Sequence, residues 1–208
     1  MKLSIQQTKL CKKCFKNFKI DDFYEFVNDD SILCPACQNL LVPHFIKFNI
    51  SGIDGLAIYE YDENIKTLLY QFKGCYDIEL APLFFNRFKH ELHFMYRNYI
   101  IVPAPSYKED DEIRGFKHID KMFENINLPI LNIIEKTSPF KQAEHTKKER
   151  SWIFKYLKLV GNVDISNKNI LIVDDVYTTG STLKAMIALI RSAHPEKIKI
   201  LVMSRRLI

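Results

Sequence analysis

Two carboxylates, Asp174 and Asp175, stand side by side in Ile170-Leu171-Ile172-Val173-Asp174-Asp175-Val176-Tyr177-Thr178-Thr179-Gly180-Ser181-Thr182-Leu183. The residues before them are apolar and β-branched, which reads as a buried parallel strand with both acids at its C-terminal end. The residues after them, Thr178, Thr179, Gly180, Ser181 and Thr182, are hydroxyls around a glycine. Leu183, Met186, Ile187 and Ile190 recur at i, i+3, i+4 and i+7, so a helix is expected from near Ser181 to near His194, where Pro195 stops it. The first N–H groups of such a helix lack intrahelical partners and carry the positive end of its dipole. A strand, a hydroxyl-rich turn and a helix N-terminus together suit an anion. No GxxxxGK[ST] lysine is present, so a monophosphate fits better than a triphosphate. The adjacent acids suit sugar hydroxyls, or the water around Mg²⁺, which prefers hard oxygen ligands. Phosphate at one end and diol acceptors at the other describe a ribose 5-phosphate. The plainer alternative is an acid pair that only caps a helix. The Asp pair, the Thr pair, the glycine and the Ser-Thr step occurring together weigh against it.

Four cysteines form a second constellation. Cys11-Lys12-Lys13-Cys14 and Cys34-Pro35-Ala36-Cys37 give the spacing C-x₂-C-x₁₉-C-x₂-C, inside the range of a zinc ribbon or knuckle. Two residues between thiols let one tight turn present both sulfurs to one tetrahedral ion, and four thiolates close its shell. Such a Zn²⁺ is structural and supplies folding energy to a segment too short for its own core. The alternatives are four unligated buried thiols or a redox CxxC pair, although neither pair follows a strand of a βαβ unit. Cys75 reads as a small apolar residue with no assigned chemistry. Between the knuckles, Phe15, Phe18, Ile20, Phe23, Tyr24 and Phe26 lie among lysines. They are either the finger's small core or a stacking platform for single-stranded nucleic acid.

Three shorter signals remain. Arg114-Gly115 follows the apolar run that ends in Val102-Pro103-Ala104-Pro105. Arg offers a planar fork to phosphate oxygens and Gly permits close backbone approach, but the pair is also common at surface turns. Lys73-Gly74 is either a ligand contact or a solvated lysine at a helix C-terminus. Lys136-Thr137…Gln142…Arg150 is either a loop that closes over an anion or a solvated charged loop.

The stretch Val173 to Thr182 resembles the phosphoribosyl pyrophosphate (PRPP) loop of type I phosphoribosyltransferases. That resemblance implies that Asp174 and Asp175 contact ribose hydroxyls. It implies that Val176 and Tyr177 lead into a loop, residues 178–182, that wraps the 5-phosphate. Several such enzymes place an acid where this chain has Thr178, to assist an incoming base; Thr178 cannot do this at neutral pH. Over nearly its whole length the chain resembles the competence protein F (ComF, ComFC-type) family, close to the GntX-like phosphoribosyltransferases. The parts fall in family order: the four-cysteine finger, Tyr70-Gln71-Phe72-Lys73-Gly74, Val102-Pro103-Ala104-Pro105, Arg114-Gly115-Phe116, Lys136…Gln142…Arg150, then the PRPP loop. The family usually continues Arg-Gly-Phe with Asn-Gln, where this chain has Lys117-His118. It usually has an Asn soon after Arg150, where this chain has Ser151-Trp152-Ile153-Phe154.

The resemblance implies PRPP with Mg²⁺ as ligand, Lys73, Arg114 and Gly115 among its contacts, and Asp174, Asp175 and Arg114 as catalytic residues if pentosyl transfer occurs. It implies work in DNA uptake during natural transformation, with a ComFA-type DNA helicase as partner and single-stranded DNA as a further candidate. Two other functions stay open. One is a phosphoribosyltransferase of nucleotide metabolism, whose oxocarbenium-like transition state would have its leaving pyrophosphate steadied by Mg²⁺ and Arg114. The other is a catalytically inactive scaffold that senses PRPP.

The elements that must position these groups can be read from pattern. The chain has 208 residues, room for one sizeable domain and a small appendage. The expected division is a four-cysteine module over 1–50 and an α/β domain over 51–208. Hydrophobic residues make up 47% and charged residues 26%, ordinary for a soluble globular protein, and the net charge of +5 permits phosphate or nucleic-acid ligands without demanding them. No apolar run approaches the roughly 18 residues of a membrane span. Met1 to Gln6 lacks the apolar core of a signal peptide, which points to the cytoplasm, where paired cysteines favour metal over disulfides. Strands are expected over 55–61, 99–102, 130–134, 170–173 and 198–203. Asp62 should cap a helix with Ile65, Leu68, Leu69 and Phe72 on one face, ended by Lys73-Gly74. A second helix should run from Asp77 to about Arg97, and a third should present Phe116, Ile119, Phe123 and Ile126. Residues 108–112 read as a charged loop running on to Arg114-Gly115-Phe116, and 135–156 as a mobile one. Strands alternating with helices give a mainly parallel sheet of the type I phosphoribosyltransferase kind, covered on both faces, with its ligand at the carboxyl ends of the strands.

Overall fold

Residues 8–19, 32–136, 157–161 and 163–207 are described by the structure, a computed structural model. Ile20, Phe23, Tyr24 and Phe26 of the finger lie outside these residues, as do Thr137, Gln142, Arg150 and residues 151–154. Strands β1 (Thr8–Leu10) and β2 (Asn17–Lys19) pair antiparallel, and the first cysteine pair lies between them. The short helix α1 (Pro35–Gln38) follows Cys34 and contains Cys37. Next comes the hairpin β3 (Pro43–Ile50) and β4 (Ile53–Glu60), turned by Ser51 and Gly52, both at positive φ as a type I′ turn requires. Asp62 accepts a hydrogen bond from the Ile65 N–H at 2.8 Å and starts α2 (Glu63–Leu69). A π turn over Tyr70–Gly74 ends that helix, closed by the Cys75 N–H donating to the Tyr70 carbonyl at 3.0 Å.

The remaining elements are α3 (Lys89–Tyr96), β5 (Tyr99–Pro103), α4 (Lys108–Arg114), α5 (His118–Phe123), β6 (Ile134–Lys136), β7 (Leu157–Leu159), β8 (Asn169–Tyr177), α6 (Ser181–Arg191) and β9 (Lys197–Arg205). The main sheet runs β3-β4-β9-β8-β5, parallel except for β3. Its central strands are buried on both faces, as their unbroken apolar runs require. Alternation sorts them: Leu171, Val173, Leu201 and Met203 pack with α2, α3 and α5, while Ile170, Ile172, Ile200 and Val202 pack with α6. This is the α/β architecture the pattern predicts. No helix among the described residues is long and apolar enough to cross a membrane.

Four details differ from the sequence reading. The expected helix over 77–97 is broken into 3₁₀ turns at Ile78–Leu83 and Asn86–Phe88, followed by α3. Phe84 and Phe85 are both fully buried, whereas adjacent side chains on an α-helix diverge by about 100°. Tyr59 also donates its hydroxyl to the Phe84 carbonyl at 3.2 Å. The expected charged loop over 108–112 is α4, favoured by Glu109, Asp110 and Asp111 in its first turn and stopped by Gly115 at φ +82°. The strand expected over 130–134 is reduced to one parallel bridge between Ile130 and Ile101. Ile133 and Ile134 turn instead into the α6-side core, and β6 pairs antiparallel with β7. Finally, β3 lies before residue 51, so the sheet reaches back across the division expected at residue 50. We propose that the cysteine module ends near residue 42; its Cys11, Phe18, Leu33, Cys34, Cys37 and Leu41 join the same core as α2 and α5.

Phe48 faces Gly55 across the hairpin, and a Cβ on Gly55 would stand 2.3 Å from the Phe48 ring. That ring is buried against Tyr177, with centroids 4.7 Å apart. Gly55→Ala should therefore destabilise the fold by about 1–3 kcal/mol, as overpacking does. Urea denaturation measures it, and an unchanged midpoint would mean that the Phe48 ring has a second seat.

Candidate functional site at the carboxyl end of the sheet

Alternation along β8 sends Asp175 to the face of Leu171 and Val173, and Asp174 to the other. Asp175 is buried, and both its oxygens are engaged. Oδ1 accepts the Val176 N–H at 2.6 Å. Oδ2 forms an ion pair with the Lys73 ammonium and lies 3.5 Å from His118 Nε2. Burial pushes this carboxyl up, but His118 and the Lys73 ammonium outweigh it and hold the group below the usual carboxylate range. Asp174 accepts the Asp175 N–H through Oδ1 at 2.9 Å. Burial, and then the neighbouring Asp175 charge, push its pKa up to about 7. The pair therefore divides into a fixed anion and an acid poised near neutrality.

The cations come from two turns. Lys73 sits in the π turn after α2, and Arg114 ends α4. The Arg114 side chain is almost buried. Its Nε donates to the Lys73 carbonyl at 3.2 Å, and its Nη1 donates to Asp111 Oδ1 at 3.0 Å and to His118 Nδ1 at 3.2 Å. Asp111 in turn accepts the Ser106 hydroxyl at 2.6 Å. Lys73 is thus ion-paired while part of its side chain stays exposed, and Arg114 is almost buried. Lys136 places its ammonium 4.6 Å from the Tyr107 ring centroid. Burial lowers its pKa, against the pull of Asp174, Asp110, Asp175 and Asp111. Beside it opens a cleft of about 400 Å³ lined by Ser106, Tyr107, Asp111, Lys117, Asn132 and Lys136 among others.

The hydroxyl loop is set by Gly180, which precedes α6 at φ +71°. A Cβ there would meet Ile50 and Tyr177 at 2.6 Å each, so both conformation and space exclude a side chain. Thr178 and Thr179 are exposed, Ser181 and Thr182 are half-buried, and the Thr179 and Ser181 hydroxyls lie 3.0 Å apart. Tyr177 turns back onto Phe48 and under the Arg205 guanidinium, 5.1 Å from its ring centroid. In the cysteine module, the sulfurs of Cys11, Cys14, Cys34 and Cys37 all lie within 4.8 Å of one another. Three of these cysteines are buried, a set compatible with tetrahedral zinc.

Comparison with known proteins fits this geometry. The phosphoribosyl transferase domain family matches residues 117–207, from the residue before His118 to the end of the described chain. Competence protein ComFC of Streptococcus pneumoniae (strain ATCC BAA-255 / R6) is 25% identical over 193 residues, 83% of this chain and 87% of that protein. Competence protein ComFC of Bacillus subtilis (strain 168) is 30% identical over 129 residues, 61% of this chain and 53% of that protein. These likenesses support a ComFC-type, phosphoribosyltransferase-like family. Among solved structures, a hypoxanthine phosphoribosyltransferase from Staphylococcus aureus aligns with a TM-score of 0.39 at 15% identity, over 60% of this chain and 62% of that one.

One end of the sheet gathers Lys73, Arg114 and the adjacent Asp174 and Asp175 from distant parts of the sequence, with the 178–182 loop following β8. It also brings in His118, Ser106 and Asp111, which the sequence reading did not assign. Lys117-His118 was visible only as a departure from the usual Asn-Gln, and Asp111 was hidden in a run of acids. For the cysteines, native mass spectrometry of the full chain should find about one zinc per chain. Cys34→Ser should lower zinc occupancy and the unfolding midpoint together, since the module shares the main core. Full stability without zinc would remove the metal reading.

Proposed function

We propose that this chain binds PRPP at the carboxyl end of β8 and serves DNA uptake during natural transformation. The observation that carries the ligand reading is the pairing of an ion-paired Asp175 with a neighbouring Asp174 whose second oxygen makes no hydrogen bond or ion pair among the described residues, shortly before a glycine-turned helix start. Asp174 and Asp175 take the ribose hydroxyls, and residues 176–182 surround the 5-phosphate with hydroxyls and the first amides of α6. Lys73, Arg114 and Gly115 face the pyrophosphate. Among the described residues the four cysteines are the one group of three or more side chains placed to hold a metal. Mg²⁺ therefore fits as a companion of the ligand's diphosphate oxygens, where it neutralises their charge, and not in a protein cage. Zinc at the cysteines is structural.

The DNA-uptake role, the ComFA-type helicase partner and single-stranded DNA as a further ligand rest on likeness to the ComFC relatives, whose names call them competence proteins. A second reading, a phosphoribosyltransferase of nucleotide metabolism, draws support from the cleft beside Lys136, where Tyr107 and Asn132 could receive an acceptor. In that reaction Asp174 and Asp175 would hold the ribose while Arg114 steadies the departing pyrophosphate. A binding-only PRPP sensor draws support from Lys73 and Arg114, both already paired with internal acids.

Calorimetry with PRPP and Mg²⁺ tests the ligand reading. Wild type should bind, and Asp174→Asn should weaken binding about tenfold, the usual cost of a lost charge-assisted hydrogen bond. An ionised carboxylate accepts hydroxyl donors better than a carboxylic acid does. Wild-type affinity should therefore rise as pH rises through about 7, where Asp174 ionises. Asp174→Asn should lose that component of the slope and keep the component owed to the ligand's own phosphates. No heat from wild type would remove the reading.

A further inference from the structure

His118 carries no role so far, yet it is the side chain that links the two halves of the site. It lies in α5 and is almost buried. The charged groups facing it come from three other elements: Arg114 and Asp111 from α4, Lys73 from the π turn, and Asp175 from β8. Arginine can only donate, so the 3.2 Å contact from Arg114 Nη1 makes His118 Nδ1 an acceptor. In the neutral ring the proton then stands on Nε2, which lies 3.5 Å from Asp175 Oδ2. Arg114 is itself held by Asp111 and by the Lys73 carbonyl, so the ring is clamped from behind.

We propose that His118 is the positioning residue of Asp175: Arg114 fixes its Nε2–H tautomer, and that N–H holds Oδ2 beside Lys73 so that the carboxylate is presented in one orientation to a ribose diol. The assignment rests on the ribose-phosphate reading of the site. A glutamine at 118 could make the same two contacts, with its amide oxygen accepting from Arg114 and its NH₂ donating to Asp175. A leucine could make neither.

Two measurements on the full, zinc-loaded chain test this. Long-range ¹H–¹⁵N NMR of the His118 ring should show an unprotonated Nδ1 and a protonated Nε2, and Arg114→Met should move both shifts toward the average of mixed tautomers. In calorimetry with PRPP and Mg²⁺, His118→Leu should bind about tenfold more weakly than wild type, and His118→Gln should return to within about threefold. A proton on Nδ1, or a glutamine variant no better than the leucine one, would overturn the proposal. Should wild type itself take no PRPP, the reading of the site fails separately, and the ring shifts, with their response to Arg114→Met, decide the tautomer and with it the assignment.

Discussion

A carboxylate buried at the end of the central strand is the constraint on which the rest of this structure depends. Taking such a charge out of water costs several kcal/mol unless a cation and hydrogen bonds replace the solvent. Asp175 obtains them from Lys73, His118 and the Val176 amide. Those partners lie in the π turn after α2, in α5 and in β8, so three separate segments must converge on one oxygen pair. Arg114 extends the requirement to α4 through Asp111. The fold and the site are thus held by the same contacts.

The loop after β8 depends on a different constraint, which is space. Gly180 sits where a methyl group would strike both Ile50 and Tyr177. Tyr177 leans on Phe48, and Phe48 lies over Gly55. The antiparallel β3–β4 hairpin at the edge of the sheet therefore sets the shape of the turn that opens α6, although no residue of that hairpin has a chemical role in the site. The cysteine module is bound to the other face in a comparable way. Its buried thiols and Leu33, Leu41 and Phe18 belong to the core that also carries α2 and α5.

The two aspartates illustrate how position divides identical residues. They are adjacent in sequence, and the pleat turns them to opposite faces. One meets Lys73 and His118; the other meets burial and its neighbour's charge. Opposite shifts follow: one group is held toward its anion while the other is pushed up to about 7. Neither property belongs to aspartate as a residue type.

Much of this was legible in the chain itself. The unbroken apolar run before Asp174, the Gly180 turn and the i, i+3, i+4, i+7 stripe of α6 specify strand, turn and helix by local physics alone, and C-x₂-C spacing specifies a clustered thiol set. Helix α4 was not legible, because it has no buried residue and hence no apolar period to find. The break after Leu83 was not legible either, because only the surrounding core requires Phe84 and Phe85 to be buried together. Strand β3 escaped notice because an edge strand is exposed on one side and alternates weakly. What tertiary structure alone decided is which charges meet. Residues 73, 114, 118 and 175 are distant along the chain, and pattern reports local periodicity, whereas a salt bridge depends on where the sheet delivers each end.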